Sequence, residues 1–362
     1  MSVGKSFSRL INRSRSVIAI AAIAAAAQVS SAALIDVTQV LTGTGTGTAS
    51  STIAPGGDSS SYFKTNTNYT INFAGGSAPI TGIIAGGNTY NIVAPADTIT
   101  VRKNQNNKNA ADVSAIYYQG SITGSTINLK GTRQNSLSDA LKQNDVYVGV
   151  DNLFANKSGG NGNNVRSERL DVVFSDGIAS AANKVFGVFD RGNKSGANSH
   201  DPFKIAAITN VDANGNPTSY GNVIAVERGW GQASVLGSAI STAVLRNSKS
   251  NSSLTSPSAF IVQPVGGILI STDELAGGTG VTIYGYSLFA YDVTGTGNQL
   301  LDWTNESYFP KNTKHGNGGL DLLSITGLIE TSLCAVPEPA MMSVIGLGAL
   351  GLMRRKRRST LA

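Results

Sequence analysis

Short apolar runs without a helical period fill the interior of this chain and restrict what it can fold into. They read "TYNIVAPADTITVRK", "AIYYQGSITGSTINLKG", "DVYVGVDNLF", "ERLDVVFSDG", "NKVFGVFDRG", "FKIAAITNVDANGNPTSYGNVIAVERG", "SAFIVQPVGGILIST" and "VTIYGYSLFAYDVTG". Each is rich in β-branched and aromatic residues, and Gly, Asn, Asp or Ser separates it from the next, which is the pattern of strands and turns. The expected fold class is therefore all-β, with an antiparallel β-sandwich or jelly-roll-like body. Leu170, Val172 and Phe174 alternate with other residues and predict a strand with one exposed face. Val185, Phe186, Gly187, Val188 and Phe189 run without interruption and predict a strand buried on both faces. Only "SLSDALKQND" offers a helix start, with Ser136 as N-cap and Asp139 three residues on.

The 362 residues carry a formal charge of +6, with charged residues at 14% and hydrophobic residues at 41%. That charge sits at the ends. Lys5, Arg9, Arg13 and Arg15 have no acid near them, and Arg354, Arg355, Lys356, Arg357 and Arg358 oppose Glu338 alone. Removing these nine bases and one acid leaves 19 bases against 21 acids in the body. No basic stripe remains to follow a phosphate backbone, so no nucleic-acid partner is expected.

At the N-terminus, four bases precede the apolar run Val17 to Val29, and Ser30, Ser31, Ala32 and Ala33 follow it. This is the layout of a secretory signal peptide, residues 1–33, with cleavage after Ala32 or Ala33 fitting equally well. As a helix the run would span about 20 Å, short of the roughly 30 Å of a bilayer's hydrocarbon core. The single cysteine, Cys334, cannot form an internal disulfide, so the exported body must be held by packing and sheet hydrogen bonds.

The C-terminus, residues 336–362, reads "VPEPAMMSVIGLGALGLMRRKRRSTLA". Pro337 and Pro339 keep their tripeptide extended, as a protease cleft requires. Ala340 to Met353 is apolar but short for a permanent span, and the basic residues behind it are held on the cytoplasmic side. This tripartite tail resembles the PEP-CTERM sorting signal of Gram-negative bacteria through Val336, Pro337, Glu338 and Pro339, the Gly-rich apolar segment, expected to be a short helix, and the basic stop Arg354 to Arg358. The resemblance implies an exosortase-type transpeptidase and signal peptidase as partners during export, and an exported chain in the cell envelope, at the surface or in an exopolysaccharide matrix. It covers 27 residues and says nothing about the body.

Between the signals, a boundary near residue 143 divides a β-rich region, residues 34–143, from a sandwich-like module, residues 144–335. The second segment resembles a module of secreted bacterial surface proteins, which implies display and supplies no catalytic motif. Within the first, "KNQNNKNAAD" reads as a long hairpin loop.

Motifs of chemistry are few. The sequence has no His-Glu-x-x-His, no Walker loop and no Gly-x-Ser-x-Gly elbow, and a cysteine nucleophile would have only His200 and His315 to choose from. No catalytic residue and no cofactor are expected. Asp212, Asn214 and Asn216 alternate oxygen ligands around Gly215, loosely like the start of a calcium loop. No acid closes that loop, and Asn-Gly between apolar runs favours a plain hairpin turn. Trp230 and Trp303 would serve as sugar-stacking platforms if exposed, although aromatics in a sandwich are usually core. The expected function is a structural or adhesive surface protein with weak polysaccharide binding. The alternative is a secreted carbohydrate-active hydrolase drawing a carboxylate pair from Glu168, Asp171, Asp176 and Glu227.

Overall fold

A computed structural model describes residues 34–45, 50–53, 70–73, 76–106, 113–124, 126–156, 164–192, 200–231, 234–248, 252–254, 260–324 and 327–331. Strands are numbered in chain order. Six close into a barrel in the order β1 (Leu34–Thr42), β17 (Val265–Ser271), β11 (Lys184–Arg191), β19 (Leu328–Thr331), β5 (Asn88–Ala94) and β4 (Ile80–Ala85), which returns to β1. A five-stranded sheet runs β13 (Pro217–Val226), β12 (Phe203–Val211), β18 (Thr282–Ala290), β10 (Ser167–Ala179) and β6 (Thr98–Lys103). An eight-stranded sheet runs β15 (Ser252–Leu254), β14 (Ile240–Ser248), β7 (Val113–Thr123), β8 (Thr126–Leu129), β3 (Thr70–Phe73) and β2 (Ser50–Ile53). In that sheet β16 (Ile261–Gln263) also pairs with β14, and β9 (Val148–Val150) with β7.

The all-β class is as read from the sequence, and every strand pair except β3 with β8 is antiparallel. Of the three sheets, one closes on itself and removes its own edges. All three sheets draw strands from both sides of residue 143, and the described residues belong to one compact unit.

The uninterrupted run in β11 has its explanation in this closure. Val185 and Phe189 join the barrel cluster with Val37, Ile83 and Leu269, while Phe186 and Val188 join the cluster built on the five-stranded sheet. Phe186 lies 5.9 Å from the Phe174 ring and 4.6 Å from that of Tyr286. Each such aromatic contributes about 1.5–3 kcal/mol of burial, so this wall is a major source of stability. Gly187 and Gly267 flank the Phe189 ring so closely that a Cβ at either would lie about 2.5 Å from it, by the same steric limit that sets core packing.

β10 departs from the expectation of an exposed face. Arg169, Asp171 and Val173 are buried along with Leu170, Val172 and Phe174. A 3₁₀ turn, Gly297–Leu301, and the chain around it cover the second face of the sheet, and Arg169 Nη1 donates to the Leu300 carbonyl at 2.6 Å. The segment read as a hairpin loop between β6 and β7 is not one, because β6 lies in the five-stranded sheet and β7 in the eight-stranded sheet. The expected short helix is present as α1 (Leu137–Leu141), with Ser136 Oγ accepting from the Asp139 amide at 3.1 Å.

Candidate functional site

Three of the four acids offered for a hydrolase have separate hydrogen-bond partners. Asp171 is 1% exposed and lies between two guanidinium groups: Arg102 Nε donates to its Oδ2 at 2.7 Å and Arg169 Nη2 to the same oxygen at 3.1 Å. Ser287, directly across β18, donates its hydroxyl to Asp171 Oδ1 at 2.7 Å. Glu168 is buried and accepts from Asn156 Nδ2 at 2.9 Å. Burial pushes its carboxyl up to about 9, with the Asp292 and Glu306 carboxylates pushing the same way. Asp176 is exposed, and exposed Glu227 accepts a hydrogen bond from the Tyr291 hydroxyl.

The turn at Asp212 uses its oxygens on itself. Asp212 Oδ1 accepts from the amides of Asn214 and Asn216 at 2.9 and 2.8 Å, and Oδ2 accepts from Asn216 Nδ2 at 2.8 Å. Gly215 takes the left-handed conformation at φ 76°, which closes the β12–β13 hairpin. The carbonyl oxygen of the Asn216 side chain accepts from Arg102 Nη2 at 2.8 Å. Hydrogen bonds from Asn216 hold the Asp212 carboxyl below its ordinary range. The hairpin reading accounts for the bonds among Asp212, Asn214 and Asn216.

The two tryptophans also have their faces engaged. Trp230 is buried, donates from Nε1 to the Asp201 carbonyl at 3.1 Å, and packs against Phe203 at 5.4 Å and His200 at 5.2 Å. Trp303 is half-buried under Arg169 and Arg102, whose guanidinium carbons lie 4.7 and 5.2 Å from its ring.

A second charged cluster, not singled out from the sequence, forms where the three sheets meet. Arg191 ends β11 and is 2% exposed. Its Nη2 donates to Asp151 Oδ1 at 2.5 Å and to Asp321 Oδ2 at 2.8 Å, its Nη1 donates to Thr242 Oγ1, and its guanidinium lies 4.4 Å from the Tyr117 ring. Neighbouring Asp190, 1% exposed, accepts from the amides of Asp321 at 2.6 Å and Asp201 at 3.0 Å, and lies 3.4 Å from His200 Nδ1. The visible signal was Asp190-Arg191 inside "VFGVFDRG", two charges ending a strand otherwise apolar.

Val336, Pro337, Glu338 and Pro339, the basic stop and residues 1–33 lie outside the described residues. No helix among the described residues is long and apolar enough to cross a membrane. Residues 335–358 match the PEP-CTERM protein-sorting motif, which supports a bacterial exosortase substrate. No curated protein and no solved structure matches the chain.

Proposed function

We propose that this chain is a noncatalytic envelope or extracellular-matrix protein of a Gram-negative-type bacterium, displaying its β body as a structural or adhesive element. Signal peptidase removes residues 1–33, and an exosortase-type transpeptidase reads Val336 to Pro339 while Arg354 to Arg358 hold the tail at the membrane. The observation that carries this reading is the sorting motif at 335–358, which begins within four residues of the end of β19 at Thr331. An extended chain gains at most about 3.5 Å per residue, so the processing step works close to the barrel. A body of near-neutral charge, with its candidate acids neutralised by arginine, buried or exposed singly, fits display better than hydrolysis. Weak contact with exopolysaccharide is the matching ligand chemistry, and the reading needs no cofactor.

The test is Glu338→Ala in the full chain, followed by fractionation and intact mass. Unprocessed precursor should accumulate in the membrane fraction. Processing at the normal rate, with delivery to the normal fraction, would overturn the sorting reading.

A further inference from the structure

The Asp190–Arg191 cluster holds more buried negative charge than its cation can balance. Asp151, Asp190 and Asp321 are each at most 8% exposed, and Arg191 is the guanidinium that reaches into them. Because Asp151 Oδ1 and Asp321 Oδ2 share one nitrogen, at 2.5 and 2.8 Å, the two oxygens lie within about 5 Å of each other. Neither ring nitrogen of His200 has a hydrogen-bond partner, although the residue is 1% exposed and faces Asp190.

The surrounding elements add little positive charge. β7 contributes the Tyr117 hydroxyl, which has no partner, and β14 contributes Thr242. The entry to β12 brings another acid, Asp201, and the segment after β13 brings Arg228, which pairs with Asp201 at 3.2 Å and is 41% exposed. Asn152 donates its amide to Asp321 Oδ1 at 2.7 Å and its side chain to Asp151 Oδ2 at 2.8 Å, and His315 meets Asn152 from the exposed side. From β1, Asp36 accepts from the Gly231 amide at 3.3 Å, beside Trp230. The cluster ties the barrel through β11, the five-stranded sheet through the segment entering β12, and the eight-stranded sheet through Thr242 and Asp151.

We propose that this cluster is a pH-operated clasp between the three sheets, closed at low pH and loosened as rising pH adds charge to its crowded acids. Burial raises Asp321 well above the ordinary carboxylate range. It raises Asp151 too, with Arg191 opposing both. Burial, with Asp190 adding to it, pushes Asp201 up to about 7. Groups raised in the folded state stabilise it fully at low pH and lose that contribution as pH climbs through their folded values. The loss therefore begins above the ordinary carboxylate range and passes through about 7 as Asp201 ionises. The proposal is independent of the sorting reading.

Amide hydrogen exchange on the full chain from pH 4 to pH 8, corrected for intrinsic chemistry, tests it. Peptides covering 186–192, 149–156 and 318–324 should lose protection by about tenfold per pH unit for each proton released, ahead of peptides from β10 and β18. Asp321→Asn should flatten that dependence. Hub protection that is constant across this range, or lost in step with β10 and β18, overturns the clasp. So does an Asp321→Asn chain that keeps the wild-type slope. If that variant does not fold, the wild-type comparison between hub and sheet still decides.

Discussion

Arg169 and Arg191 are both buried, both lie over a tyrosine ring and both hold aspartate, yet their surroundings differ in charge balance. Arg169 shares one carboxylate, Asp171, with a second arginine and two hydroxyl groups, those of Ser287 and Tyr220. Its Nη1 donates to the Leu300 and Leu301 carbonyls, so the cluster fastens the 3₁₀ turn over the five-stranded sheet. Arg191 faces Asp151 and Asp321 directly, with Asp190 one residue away and no second buried guanidinium among these contacts. Several carboxylates sharing one cation are left sensitive to pH.

The largest effect should come from removing each arginine in turn. Arg191→Met strands buried carboxylates without their cation and should cost about 3–5 kcal/mol. Arg169→Met leaves Asp171 with Arg102, Ser287 and Tyr220 and should cost about 1–3 kcal/mol. Denaturant midpoints at pH 7 check the pair. Equal losses, or a larger loss at Arg169, would break the distinction between the clusters.

How much of this was readable beforehand follows from how local each signal is. The tail is a contiguous pattern, and the hairpin at Asp212 is announced by Asn-Gly, so both were legible. Strand positions were legible for the same reason, since the apolar run Val185 to Phe189 is itself contiguous. Pairing was not. The four residues of β19, "LIET", close the barrel between β11 and β5, and nothing in them points to partners as distant as Tyr90 or Ile92. The second buried face of β10 depends on a cover more than a hundred residues downstream, and the Asp190 cluster draws on six places in the chain. Such contacts come from tertiary closure, whose cost and reward are not written in any window of sequence.

Glu168 sharpens the comparison from outside both clusters, because it is a raised carboxyl with no arginine on it. Below the ordinary carboxylate range the folded and unfolded chains are both protonated there, and the contribution is complete. Between that range and about 9 the unfolded chain ionises first, so stability should fall by about 1.4 kcal/mol per pH unit from this group. Glu168→Gln, whose amide oxygen can still accept from Asn156, should match wild type near pH 4 and exceed it at pH 8. Denaturation at pH 4, 6 and 8 measures this. The same variant should leave hydrogen exchange at Asp190 and Asp321 as pH-dependent as before, and a loss of that dependence would mean that one titration serves both regions.

The smallest effect belongs to the Asp212 turn, which touches the Arg102 cluster only through Asn216. Asp212→Ala removes the acceptor for two backbone amides and the Asn216 side chain, all of them exposed to water that can replace it. The loss should be about 0.5–1.5 kcal/mol, the ordinary net value of an exposed hydrogen-bonded turn. Asn216 then loses the bond that holds its side chain toward Arg102, so a small part of the effect should vanish in an Arg102→Met background. Millimolar calcium supplies the other arm. A metal held by Asp212, Asn214 and Asn216 would have to pull Asp212 away from its own amides, so the wild-type melting temperature should not move with calcium. A rise of several degrees in wild type that disappears in Asp212→Ala would replace the hairpin with a calcium loop and make this turn, rather than the Asp190 cluster, the ion-responsive part of the body.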